Sequence, residues 1–228
     1  PQEALNAYKV LVLLGQMNMK DGMKERLRAF VDNGGTLVWC AGQATPEDAA
    51  FCGAAIQPEL RVGRAWRWGA GEPVAEAFRY CPVAETKDGV EVLAATPAGD
   101  PLVLRRRVGT GAVVTVLVPW YEAGHAPLCG LARRAFDEVF GGVQPVRVKG
   151  LPVQWLSTTG PTHRTVLVSN NDGAPWTGEV IVSDVAPALA KCRELITGTE
   201  APFSRNGETA SATVSIPPYG VAVLRWTE

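Results

Sequence analysis

The residues best equipped for chemistry are few. Five cysteines (Cys40, Cys52, Cys81, Cys129, Cys192) and two histidines (His125, His163) are the only thiols and imidazoles in the chain. They form no CxxC pair and do not gather into a metal-ligand motif, so neither a transition-metal centre nor another cofactor is expected. The odd cysteine count gives no complete disulfide framework, and reduced, mostly buried thiols are expected. Cys40 is the sharpest candidate. It ends the apolar run Thr36-Leu37-Val38-Trp39-Cys40 and is followed by Ala41-Gly42. At such a strand-to-helix elbow, backbone donors and a helix N-terminus can lower a thiol pKa and create a nucleophile. His125, beyond the strand-like run 112–118, stands where its base would be needed. The competing account, which we favour, is an ordinary buried thiol at a strand end.

Seven tryptophans are a second excess. Trp66, Trp68, Trp120, Tyr121 and Trp176 fall in or beside segments that read as loops. Exposed rings there could stack on a pyranose, and Glu122 could meet a sugar hydroxyl. Packing at an interface or in part of a core is the favoured alternative. Trp66, Trp68 and Phe78, set among glycines and prolines, would then be interface anchors. Trp39, Trp155 and Trp226 lie within strands and read as core. Glu47-Asp48 could do acid–base work, but their place at a helix start explains them without it. Gly69-Ala70-Gly71 lacks both the third glycine of a dinucleotide fingerprint and the lysine of a P-loop, and reads as a turn.

The elements that must position these residues follow from periodicity. Val10–Leu14 is a continuous apolar run, as in a strand covered on both faces. From Asp21 to Asn33 the apolar Met23, Leu27, Phe30 and Val31 recur at helical spacing, and Asn33-Gly34-Gly35 stops the helix. Thr36–Cys40 completes a βαβ unit. A short helix is predicted over Pro46–Ala55, strands over 90–95, 101–108 and 112–118, and a helix over Pro127–Phe140. Residues 57–89 give no clear pattern. Beyond Pro145 strand-like runs recur at 153–158, 164–169, 176–183, 192–196, 210–216 and 221–226, separated by turn clusters. That spacing predicts a small antiparallel β-sandwich. We place the domains at 1–146 and 147–228.

Composition bounds the partners. Of the 228 residues 46% are hydrophobic and 20% charged, and 22 Lys+Arg against 23 Asp+Glu leave a net charge of −1. Without a basic stretch longer than Arg105-Arg106-Arg107, nucleic acid and anionic membrane are not expected. No apolar run approaches the roughly 20 residues of a bilayer span, and no leader pattern opens the chain, so a soluble chain of unassigned compartment is expected. Pro1 in place of Met suggests a processed chain or a segment of a longer one.

Three strings carry a resemblance: Tyr8-Lys9-Val10-Leu11-Val12, then Leu27-Arg28-Ala29-Phe30-Val31-Asp32-Asn33-Gly34-Gly35-Thr36-Leu37-Val38, then Val108-Gly109-Thr110-Gly111-Ala112-Val113-Val114. Together they resemble the trimerisation domain of glycoside hydrolase family 42 β-galactosidases. The tail Ser215-Ile216-Pro217-Pro218-Tyr219-Gly220-Val221-Ala222-Val223-Leu224 is similar to the closing strands of the sandwich that ends many such enzymes. The resemblance implies an α/β flavodoxin-like (class I glutamine amidotransferase-like) domain, lacking its first strand and helix, followed by an antiparallel β-sandwich. The family's catalytic glutamates sit on an upstream TIM barrel that this sequence does not contain, so no catalytic residue is carried over. The implied role is a non-catalytic C-terminal portion of such a glycosidase, bracing the barrel or forming a homo-oligomer through the α/β domain. Two alternatives stand beside it. One is a Cys-dependent amidotransferase-like hydrolase using Cys40 and His125, although the His-x-Glu of that family is absent because Ala126-Pro127 follow His125. The other is a carbohydrate-binding protein using Trp66, Trp68, Trp120, Tyr121 and Glu122.

Overall fold

A computed structural model describes residues 2–13, 19, 22–119, 129–160, 162–183 and 191–227. The protein is mostly strand with few helices. It divides into two compact units, Pro1–Val143 and Gln144–Glu228.

The first unit runs α1 (Gln2–Asn6), β1 (Val10–Val12), α2 (Met23–Asp32), β2 (Thr36–Cys40), two 3-10 turns (Ala41–Gln43 and Pro46–Asp48), α3 (Ala49–Cys52) and β3 (Ala54–Ile56). It continues with β4 (Arg61–Trp68), β5 (Val74–Tyr80), β6 (Val83–Thr86), β7 (Val90–Ala95), β8 (Pro101–Val108), β9 (Gly111–Val116) and α4 (Gly130–Gly141). Seven strands form one mixed sheet in the order β1-β2-β9-β8-β7-β4-β5, and β3 pairs with β6 separately. Only β1, β2 and β9 run parallel, with Val10 opposite Thr36 and Thr36 opposite Ala112. The remaining pairings in this sheet are antiparallel.

The parallel strands are predominantly apolar, as expected where both faces are covered. Leu37 and Trp39 of β2 pack with Leu27, Phe30 and Val31 of α2. Val38 and Cys40, on the opposite face, pack with Leu131 and Ala135 of α4. The α2–β2 connection depends on glycine. Gly34 has φ 100°, and a Cβ on Gly35 would lie inside the Phe30 ring, so the helix can turn directly into the sheet beneath its own aromatic anchor.

The second unit comprises β10 (Val146–Lys149), β11 (Gln154–Thr159), β12 (His163–Ser169), β13 (Trp176–Val182), β14 (Lys191–Glu194), β15 (Phe203–Asn206), β16 (Thr209–Ile216) and β17 (Val221–Thr227). They form two antiparallel four-stranded sheets, β10-β13-β16-β15 and β11-β12-β17-β14. Both contribute to one core, in which Val180, Val182 and Ile216 meet Val166, Val168, Leu224 and Trp226. The arrangement is β-sandwich-like, with inward residues alternating with outward ones along β12, β16 and β17.

Candidate functional site

Cys40 lies at the C-terminal end of β2, and the 3-10 turn 41–43 follows it. Its side chain is fully buried, packed with Val38, Val116 and Val118. His125, its expected base, lies outside the described residues, as do Trp120, Tyr121 and Glu122.

The expectation that Trp66 and Trp68 sit on loops is corrected, since both belong to β4. Trp66 is 8% exposed and Phe78 of the paired β5 is 7% exposed, both inside the main core of this unit. Trp66 Nε1 donates to Glu76 Oε2 at 2.7 Å. The same carboxylate accepts from the backbone N–H groups of Gly130 at 2.6 Å and Leu131 at 3.3 Å. Glu76 therefore fastens β4 to the start of α4, where unpaired N–H groups and the helix dipole favour an anion. Trp68 is half-buried, and the Arg134 guanidinium lies 4.7 Å from its ring centroid. Trp176 is likewise a strand residue, 3% exposed, with its Nε1 donating to the Leu151 carbonyl at 2.8 Å. Periodicity missed β4 because Arg61, Arg64 and Arg67 interrupt its apolar residues and a register shift falls between Gly63 and Ala65.

Asp48 is a hub rather than a free acid. It is 1% exposed and closes a capping box with Thr45 at the turn before α3. Lys24 Nζ approaches it at 2.8 Å, and Arg28 Nη2 lies 3.7 Å from the other oxygen. Burial pushes this carboxyl up, but the bonds from Lys24 and from the Thr45 N–H and hydroxyl outweigh it and hold the pKa below its ordinary value. Burial, helped by the Asp48 charge, drives the nearby Cys52 thiol up to about 12, so it stays protonated and inert. Cys192 is raised to about 12 by burial. Gly69–Gly71 forms a turn, with the Gly71 N–H bonded to the Trp68 carbonyl.

In the second unit an open depression of about 470 Å³ is lined by Val153, Gln154, Trp155, Leu156, Leu167 and Ser169. On the same sheet, Arg193 of β14 lies directly opposite Arg225 of β17, a juxtaposition that depends on strand register and so is not legible from residue patterns alone. Among the described residues no three His, Cys, Asp or Glu side chains converge to hold a metal ion. No helix among them is long and apolar enough to cross a membrane.

No family model matches the chain, and no curated protein does. Solved structures do. Gan42B, a GH42 β-galactosidase from G. stearothermophilus, superposes with a TM-score of 0.61 at 16% identity, over 100% of this chain and 33% of that one. A β-galactosidase from Bacillus circulans sp. alkalophilus gives 0.57 at 20% identity, over 96% of this chain and 33% of that one. The α-L-fucosidase isoenzyme 2 from Paenibacillus thiaminolyticus gives 0.66 at 14% identity, over 97% and 41%. At these identities the likeness is one of fold. The chain spans about a third of the length of the β-galactosidases it matches.

Proposed function

We propose that the chain is a non-catalytic accessory portion of a β-galactosidase-like glycoside hydrolase. Its first unit would be a flavodoxin-like, class I amidotransferase-like module and its second a β-sandwich, together bracing a TIM barrel or holding copies of the enzyme together. The observation that carries the reading is the extent of the likeness, which takes in both units: it covers 100% and 96% of this chain and 33% of each of two β-galactosidases. The complete burial of Cys40 favours it over a hydrolase in which that thiol attacks.

Retaining glycosidases need two carboxyl groups about 5 Å apart across the scissile bond, a pair expected on the barrel and not in this chain. The purified chain should therefore leave chromogenic galactosides unchanged, and the coding sequence adjoining Pro1, or a neighbouring reading frame, should encode a TIM barrel. Turnover that disappears when a carboxylate of this chain is replaced would overturn the reading. A demonstrated translation start at this point, with no barrel encoded nearby, would also overturn it.

A further inference from the structure

Strand parity determines what the outer face of the β11-β12-β17-β14 sheet presents. Arg164, Val166 and Val168 of β12, Leu224 and Trp226 of β17, and Cys192 of β14 are buried, so Thr165, Arg225 and Arg193 point outward. Register then sets Thr158, Thr165, Arg225 and Arg193 in one row across four strands. Two positions along, Lys191 lies opposite Thr227 on the same face.

Like charges directly opposite on antiparallel strands repel. Among the described residues neither arginine has an ion-pair partner. Glu200, whose backbone bridges Arg193 at the sheet margin, makes none with it. Each guanidinium is instead tethered through Nε: Arg193 donates to the Gly198 carbonyl at 2.9 Å and Arg225 to Thr165 Oγ1 at 3.1 Å. A guanidinium carries five N–H donors, so tethering by Nε orients both side chains while leaving their terminal Nη groups for a ligand.

We propose that this row is an oxyanion site that takes the carboxylate of an acidic saccharide. Two oriented forks side by side suit a carboxylate, which each can grip bidentately, and the bound anion would relieve their mutual repulsion. Lys191 adds a third cation, while the Thr158 and Thr227 hydroxyls suit ligand hydroxyls. β17 is paired on both sides and residues 199–201 bond the outer edge of β14, so a peptide finds no open ladder beside either arginine. The choice of a saccharide to carry the carboxylate rests on the accessory reading above. The anion site itself does not.

The test is a titration of the whole chain followed by the NMR signals of the arginine Nε–H groups, with galacturonate oligomers, neutral galactose oligomers and sodium sulfate as probes. The galacturonates should shift the Arg193 and Arg225 signals, more weakly as salt is raised, and the neutral oligomers should leave them in place. Arg193→Gln and Arg225→Gln should each weaken binding about tenfold, the equivalent of one charge-assisted hydrogen bond. Arg193→Gln should melt no lower than the parent, since it removes a like-charge opposition. Arg193→Lys, which keeps the charge and loses the fork, should bind at an intermediate level. Equal responses to acidic and neutral oligomers, or a response to sulfate alone, would overturn the saccharide assignment. A chain that ignores every anion, or whose binding survives both Gln variants, would overturn the site. None of these outcomes bears on the galactoside assay or the encoded barrel, so the two proposals fail separately.

Discussion

Each unit buries one formal charge among the described residues, and the signs are opposite: Asp48 in the first, 1% exposed, and Arg164 in the second, 8% exposed. The difference follows from which backbone groups each architecture leaves over. A helical start leaves N–H donors without acceptors, and Asp48 sits at one, accepting from the Thr45 N–H at 3.0 Å. In a sandwich the unmatched groups lie where a ladder ends. Pro145 and Ser183 flank the first rung of the β10–β13 pair, Val146 opposite Val182, and Arg164 Nη1 donates to both their carbonyls at 3.0 and 2.6 Å. A buried charge here takes the sign opposite to the local backbone excess, which is why one unit holds an anion and the other a cation.

The sharpest way to break this comparison is to remove each charge. Arg164→Ala takes the guanidinium donor from the Ser183 and Pro145 carbonyls, of which Pro145 keeps the Ser183 N–H, and leaves a cavity where the buried side chain lay, so it should cost about 3 kcal/mol in urea unfolding. Arg164→Lys, which keeps a cationic donor but not the guanidinium's shape and reach, should recover part of that. Asp48→Ala should cost about 2 kcal/mol, less because the Lys24 and Arg28 it strands can reach water. A negligible loss for Arg164→Ala would show that the ladder end is solvated and that the sign argument does not hold for the sandwich.

The next effect sharpens the comparison through pH. Asp48 and Glu194 both have depressed pKa values, so each contributes stability that is complete above its unfolded value and lost as pH falls through the folded one. Burial raises the Glu194 carboxyl, but bonds from the Val223 and Thr197 N–H groups, the Thr197 hydroxyl and the Ile196 N–H bring it to about 2. Its contribution should therefore be lost between its ordinary 4.5 and about 2. Glu194→Gln should cost about 1 kcal/mol at neutral pH and flatten the acid limb of the second unit's melting curve, while Asp48→Asn should flatten that of the first. An acid limb unchanged by either substitution would mean that other carboxylates govern it.

Glu76→Gln keeps an acceptor for Trp66 but removes the charge from the start of α4, and should cost about 1 kcal/mol in thermal unfolding. No loss would show that geometry alone, without charge, fastens β4 to the helix.

What the sequence showed depended on burial. The apolar run Thr36–Cys40 and the stretches 90–95 and 101–108 match the observed strands because each combines an uninterrupted or alternating apolar pattern with clear turn residues. The helix expected over Pro46–Ala55 is a 3-10 turn and one turn of α3, after which the chain enters β3. Gly53 ends it with φ 81°, and a Cβ there would stand 2.6 Å from Val90. Glycine therefore acts as a tertiary spacer, which local periodicity does not reveal. The strands within 57–89 are half-exposed, with Arg61, Arg64, Arg67, Glu76 and Arg79 among their residues, so charge masked their alternation. Of the candidate residues, Cys40 was legible as a strand end. The Glu76 link and the Arg193–Arg225 row join residues far apart in sequence, and only pairing brings them together.

The smallest expected effect compares how the units make their turns. In the first unit every described residue with positive φ is glycine, whereas the second contains Tyr219 at φ 55°. Tyr219 is the third residue of a turn closed by the Gly220 N–H on the Pro217 carbonyl, a place that glycine or asparagine fills without the Cβ clash. Its ring does not repay the strain by burial, being 76% exposed. Tyr219→Gly should therefore raise stability by about 0.5 kcal/mol, relief of the left-handed strain being partly offset by the greater freedom of glycine in the unfolded chain. Tyr219→Val, β-branched in the same conformation, should lower it by about 1 kcal/mol. Thermal melts of the two variants decide the matter. Should Tyr219→Gly destabilise as much as Tyr219→Val, then the tyrosine ring, whose hydroxyl lies alongside Gly173, pins the two turns together and the backbone strain is secondary.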